Sequence, residues 1–287
     1  MAKYLDPKVD LAFKRVFGEH KELLRSFLNA VLPLADDAQI TDLEYLPPEQ
    51  VPEIPGLLKN SIVDVKCVDQ KGRIFIVEMQ MLWRSYFEQR ILFGASQAYV
   101  KQLKKGQDYS ALQPVYALAL IDDIFDHHSD QYYHHYKIVN IQDTQTTLPG
   151  LEFVFIELKK FKPNNRDDKR MKVLWLRFLS EISEFDPHPA PELLAEAPIA
   201  SALDLVEIAA FSESELDNYN ANMDQIRTAR MVLDEALAMG RAEGREVGRE
   251  EERYILIKNL HASGMSLEAI SQATQLPLAD VKRYLVR

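Results

Sequence analysis

Residues 62–81 read IVDVKCVDQKGRIFIVEMQM. Two apolar runs rich in β-branched and aromatic residues flank Asp69-Gln70-Lys71-Gly72, a turn signal of the hairpin type. Each run also carries a carboxylate, Asp64 and Glu78, and this is the tightest constraint in the chain. An ionised carboxylate is too costly to bury without a partner or a metal. Side chains alternate faces along a strand, so Glu78 and Gln80 share a face with Ile74 and Ile76. Phe75, Val77, Met79 and Met81 take the other face. Both faces are apolar apart from Glu78 and Gln80, as in a central strand covered on both sides. Hairpin pairing brings Asp64 towards Glu78. Two explanations are open at this point. One is a buried ion pair with a Lys or Arg from elsewhere. The other is a hard-cation site, because Mg²⁺ is held by a few carboxylates, water and phosphate oxygens.

The chain has 287 residues, enough for one large domain or two smaller ones, and 47% apolar residues support a sizeable core. Cys67 is the single cysteine, so a disulfide framework within one chain is excluded. The opening MAKYLDPKVD has no signal-peptide stretch, and no run approaches the roughly 18 apolar residues of a membrane span. A cytoplasmic protein without a membrane partner is expected. The net charge of −10 argues against avid, non-specific nucleic-acid binding through phosphates. One local patch runs the other way. Arg84, Arg90, Lys101, Lys104 and Lys105 stand against Glu88 alone, directly after the Glu78/Gln80 strand.

Asp6-Pro7 reads as a helix start, with apolar residues at helical spacing to Val31 and a break near Gly18. Residues 33–60 are loop-rich, with five prolines and one candidate strand, ITDLEYL. The segment 84–106 reads as a helix closed by Gly106, and PVYALALID as a buried strand. A strand–helix–strand crossover over 72–121 makes those two strands parallel. DHHSDQYYHHY reads as a solvated loop rather than a zinc site, since adjacent His pairs do not share a strand face. YKIVNI and LEFVFIELKKF are further strands. Tyr86, Phe93 and Tyr99 are expected to face the core. After Pro163 the pattern turns helical, and the shift at 163–170 marks the expected boundary. In GRAEGREVGREEE, Gly240, Gly244 and Gly248 lie along one helix face, each followed by Arg. The remainder reads as short helices, with Ser266 as a cap and Gln275 at a turn position where Gly is often found.

DPKVDLAFKRVFGE, the spacing D-x13-E-x-Q of Asp64, Glu78 and Gln80, SYFEQRILFGASQAY and the Gly-Arg-Glu tail together resemble the Rpn family. These are recombination-promoting, transposase-like nucleases, a branch of the PD-(D/E)XK nuclease superfamily. The resemblance is strongest over 1–121 and 240–287. It implies an α/β fold: a restriction-endonuclease-like core whose central mixed sheet is flanked by helices, plus an all-helical C-terminal region. The expected division is 1–165 as nuclease core, 166–235 as helical extension and 236–287 as a helix-turn-helix-like tail. The implied function is a Mg²⁺-dependent DNA endonuclease (other divalent cations serving in its place), acting in recombination, on mobile elements or in phage defence. The alternative is a catalytically weak DNA- or protein-binding module that works through its tail.

The resemblance also implies roles. Asp64 and Glu78 are the metal ligands, joined by the backbone carbonyl of Met79. Gln80 holds the position usually taken by Lys, and a neutral amide can only hydrogen-bond. Charge stabilisation then falls to the metal and to nearby cations, with Lys66 and Arg90 as candidates. Asp10, on the first helix, is a further carboxylate that extends such sites in related folds. DNA is the implied partner, and a homodimer or higher homo-oligomer the expected assembly.

Overall fold

The computed structural model describes residues 4–47, 49–50, 61–62, 64–163, 170–184 and 188–286, the two short pieces by backbone alone. Most of the proline-rich loop and of the composition shift at 163–170 lies outside the described residues. The chain divides into two compact units, Met1–Ile226 and Arg227–Arg287.

In the first unit the strands are β1 (Leu43–Tyr45), β2 (Glu49–Gln50), β3 (Ser61–Ile62), β4 (Val65–Asp69), β5 (Ile74–Gln80), β6 (Val115–Ile121), β7 (Tyr133–Val139) and β8 (Thr147–Glu157). β2 and β3 pair with each other. The other six form one mixed sheet in the order β1-β4-β5-β6-β8-β7. β5, β6 and β8 run parallel, while β4 and β7 are antiparallel to their neighbours β5 and β8. The 69–72 turn locks the β4–β5 register. Gly72 takes φ +78, a left-handed conformation that glycine adopts without strain. The buried Asp69 carboxylate accepts from Lys71 N, Arg73 N and Arg73 Nε at 3.0, 2.9 and 2.7 Å. Arg73 in turn donates to the Ala38 carbonyl at 2.7 Å. Every buried charge at this corner therefore has a partner.

The first helices are α1 (Asp10–Phe13), a π-helical turn over Lys14–Gly18, and α2 (Lys21–Val31). The helix starts later than Asp6-Pro7 suggests, because the Asp6 carboxylate turns back onto Lys8 N and Lys8 Nζ, at 2.9 and 3.0 Å. α4 (Arg170–Glu181), α5 (Pro191–Leu194) and α6 (Ala197–Leu205) follow the sheet. α2, α4 and α6 share one core with the Phe75/Val77 face of β5. Phe13, Phe17, Phe27 and Trp175 form its aromatic centre, with Phe17 4.7 Å from Phe27 and 5.5 Å from Trp175. Truncating a fully buried Trp of this kind costs about 3–5 kcal/mol.

α3 (Phe87–Val100) covers the other face, where Phe87, Ile91, Ala95 and Ala98 pack on Ile74, Ile76, Ala117 and Ala119. The two alanines of β6 let the helix approach the sheet. α3 ends six residues before Gly106, because the Gln102 side chain pairs with the backbone of Gln113 through two 2.9 Å bonds. Tyr86 lies just outside the helix and is exposed, and Phe93 is also exposed, so neither faces the core as expected. The DHHSDQYYHHY segment is organised by Glu157, which is fully buried. Its carboxylate accepts from Phe125 N and Asp126 N and pairs with His134 and Lys160. His135 pairs with Glu152. Among the described residues no group of three or more His, Cys, Asp or Glu is placed to hold a metal ion.

α7 (Glu213–Ala262) begins in the first unit and ends in the second. The second unit adds α8 (Leu267–Thr274) and α9 (Leu278–Val286) around a small core of Ile257, Ile270, Val281 and Tyr284. Ser266 caps α8 by accepting from Ala269 N. Gln275 takes the left-handed turn conformation itself, at φ 56. Among the described residues no helix is long and apolar enough to cross a membrane.

Candidate active site

The β4–β5 ladder pairs Val65 with Val77 and Lys66 with Ile76. One step further along the same register sets Asp64 opposite Glu78, and residues directly opposite share a face. The ladder ends there, and the Asp64 carboxylate takes over as acceptor for the Met79 N–H, at 2.6 Å. The N–H and C=O of one strand residue point to the same side, so the Met79 carbonyl faces the side of Asp64. Gln80 O is turned the other way and accepts from Asp122 N, at 2.9 Å.

Glu78 is buried, and its carboxylate meets Arg90 of α3 at 2.6 Å. The same guanidinium donates to Gln80 Oε1 at 3.1 Å, and the Gln80 amide nitrogen donates to the Leu82 carbonyl. Gln80 is therefore held with its oxygen towards Arg90. Arg90 stacks on Phe87 at 4.8 Å and keeps 42% of its side chain exposed.

Burial pushes the Glu78 carboxyl up to about 7, against the pull of Arg90 and with a further push from Asp64. Burial also raises Asp64, and the Asp10 charge adds to it. The Met79 N–H, Lys14 and Arg90 oppose that rise. Glu78 is thus raised despite a close ion pair, because desolvation outweighs the attraction of a half-exposed guanidinium.

Asp10 lies in the first turn of α1 and forms an ion pair with Lys14 four residues on, at 2.8 Å. Lys14 opens the π-helical turn, whose last residue, Gly18, lies against the side chains of both Lys14 and Val65. Lys66 sits beside Ile76, two residues from Asp64. Burial lowers its pKa, and Lys101 lowers it further. The largest cationic influences on Asp64 are Lys14 and Arg90. Lys14 did not stand out in the sequence, although its i,i+4 spacing from Asp10 was the available signal.

The structure therefore brings Asp64, Glu78, Gln80, Arg90 and the Met79 backbone together at one end of β5. Asp10 and Lys14 act on Asp64 from the opening helix. Lys66 stands further down the sheet. Cys67 is buried in the core, and burial pushes its thiol up to about 12, a value of an inert side chain.

A family model described as "PD-(D/E)XK nuclease family transposase" matches residues 7–236. The chain belongs to this family. No curated protein and no solved structure matches it. Membership places the chain among nucleases of transposase type, for which nucleic acid is the substrate and a divalent metal ion the general cofactor. The donor set at the end of β5 fits such an ion. Two carboxylates are desolvated against each other, so negative charge is under-compensated there. Two carboxylates with a carbonyl, water and substrate oxygens are a normal complement for a small hard cation.

Proposed function

We propose that the chain is a Mg²⁺-dependent DNA endonuclease that hydrolyses phosphodiester bonds, acting in recombination, on mobile elements or in phage defence. The observation that carries this reading is the opposition of Asp64 and Glu78, with Gln80 and Arg90 tied to the same point. Asp64, Glu78 and the Met79 carbonyl would hold the ion. When bound, it would supply Lewis-acid polarisation of the phosphodiester and a more acidic bound water.

The chain's own groups do the rest. Glu78 must lose its proton to act as a ligand, so proton and ion compete for this carboxylate and ion binding weakens as pH falls. Arg90 is freed from Glu78 when that charge is taken up elsewhere. Being half exposed, it can then turn to a non-bridging phosphate oxygen. Gln80 orients a water or phosphate oxygen by hydrogen bonding and carries no charge. The cation that a strand lysine would provide comes instead from Arg90 on one flank and Lys14 on the other. Residues 1–165 would form the nuclease core, 166–235 a helical extension and 236–287 a separate tail, in a cytoplasmic protein.

A second reading, a weak or inactive enzyme that binds DNA or protein through its tail, is favoured by one feature. The second unit has its own small core. The two readings part on one assay, nicking of supercoiled plasmid with Mg²⁺ by the wild type beside Asp64→Asn and Glu78→Gln. Cleavage by the wild type alone supports the enzyme. Equal traces from all three proteins would leave the binding module.

A further inference from the structure

The second unit contains a helix that is unfavourable on its own. Between Arg227 and Ala262, α7 carries Gly240, Gly244 and Gly248, and each glycine weakens a helix by about 1 kcal/mol. Arg241, Arg245, Arg249 and Arg253 follow one another at four-residue spacing, and like charges at i,i+4 repel. Arg249 and Arg253 have Glu246 and Glu250 nearby, at 3.7 and 3.4 Å. Among the described residues Arg241 and Glu243 are in no ion pair.

At 100° per residue, Leu233, Leu237, Gly240, Gly244 and Val247 fall in one strip about 80° wide. Their spacing of four, three, four and three is that of a paired-helix seam. The strip is open. Leu237 and Val247 are 49% and 58% exposed, and a Cβ placed on Gly240 or Gly244 would meet nothing within 4 Å. The side of α7 that packs on α8 and α9 is a different one, centred on Ile257, with Tyr284 donating to Glu250 at 2.7 Å.

The flanks of the strip have opposite signs. Arg241 lies about 80° to one side of its centre and Glu243 about 80° to the other. This pattern selects both the occupant and the orientation. When two copies of the strip face each other in parallel around a two-fold axis, the arginine flank of each meets the glutamate flank of the other. In an antiparallel pair like flanks meet, which is repulsive. We propose that residues 233–247 pair with the same segment of a second copy of this chain, parallel and in register, with Arg241 against the second copy's Glu243. The glycines let the two backbones approach closely, and Arg241 gains the counter-charge it lacks within one chain.

The test uses the full chain. Sedimentation over a concentration series should show a dimer. Leu233→Cys, Gly240→Cys and Val247→Cys, each alone, should form disulfide-linked dimers under mild oxidation, because in a parallel pair every seam residue meets its own copy. The wild type, whose Cys67 is buried, should not. Arg241→Glu should weaken the dimer about tenfold, and adding Glu243→Arg in the same chain should restore it with unchanged helix content. A monomeric wild type would overturn the proposal. So would cross-linking at Gly240→Cys without the two ends, the signature of an antiparallel pair, or a failure of the charge swap to rescue.

Discussion

The Glu78 carboxyl gives the most informative test of the site. Its rise from the ordinary glutamate value to about 7 corresponds to about 3 kcal/mol, at ~1.4 kcal/mol per tenfold change in proton affinity. The folded state holds this proton more tightly than the unfolded chain does. The stability contribution is therefore fully present below the unfolded pKa, near 4, and is lost as pH rises through 7. Glu78→Gln removes the titration and keeps an oxygen for Arg90, whose exposed contact is worth at most about 1 kcal/mol. In EDTA the variant should match the wild type near pH 5. Near pH 8 it should be more stable by roughly 2–3 kcal/mol, or several degrees in melting temperature. Mg²⁺ at pH 8 should then raise the wild-type melting temperature and leave that of Glu78→Gln unchanged, because a ligand stabilises only the state that binds it. Denaturant melts across pH, with and without Mg²⁺, read all three effects. A variant that loses about 3 kcal/mol or more at pH 8 would show that Glu78 is a structural ion-pair member and not a metal ligand.

The remaining expectations concern neighbouring residues. Asp64→Asn should abolish plasmid nicking while changing stability by under about 1 kcal/mol. Asp64→Ala should cost about 1–2 kcal/mol more in urea melts, because it leaves the Met79 N–H without its acceptor. Lys14→Met should lower the nicking rate at saturating Mg²⁺ by tenfold or more, with Lys14→Arg recovering most of it; an unchanged rate would assign Lys14 to the Asp10 pair alone. Gln80→Lys should remain folded and active by the same assay, and a folded, inactive protein would show that the amide has a role that a cation cannot fill. Arg73→Met should destabilise by about 3–5 kcal/mol in urea, since it strands the buried Asp69 carboxylate.

Much of this could be read from the sequence because it depends on short-range periodicity. The 69–72 turn and the alternation along β5 fix the register, and the register sets Asp64 opposite Glu78. The parallel β5–β6 pair follows from the length of the crossover between them. What escaped depends on where distant segments land. Arg90 stands out as a candidate cation, but its pairing with Glu78 depends on how α3 lies on Ala117 and Ala119 of β6, which no local pattern specifies. The helix ends at Val100 because Gln102 is captured by the backbone of Gln113, a tertiary bond that overrides the stop signal at Gly106. The histidine-rich segment is ordered by Glu157, 23 residues beyond His134 in sequence.

The same distinction bears on the missing strand lysine. A lysine at position 80 would be fixed to β5 and would place one permanent charge beside the carboxylates. Here two cations approach from separate helices. Arg90 is already bound to both Glu78 and Gln80, and Lys14 is already paired with Asp10. Each cation is thus shared between a carboxylate of its own and the centre of the site. If Asp64 and Glu78 take up a divalent ion, as proposed, the Glu78–Arg90 pair weakens and Arg90 becomes available as negative charge arrives with the substrate, while Lys14 keeps its place between Asp10 and the flank of Asp64. On this reasoning the neutral Gln80 is a consequence of the arrangement rather than a loss from it: Arg90 already brings a positive charge to that point, so a lysine at position 80 would duplicate that charge, and the chemistry tolerates either residue.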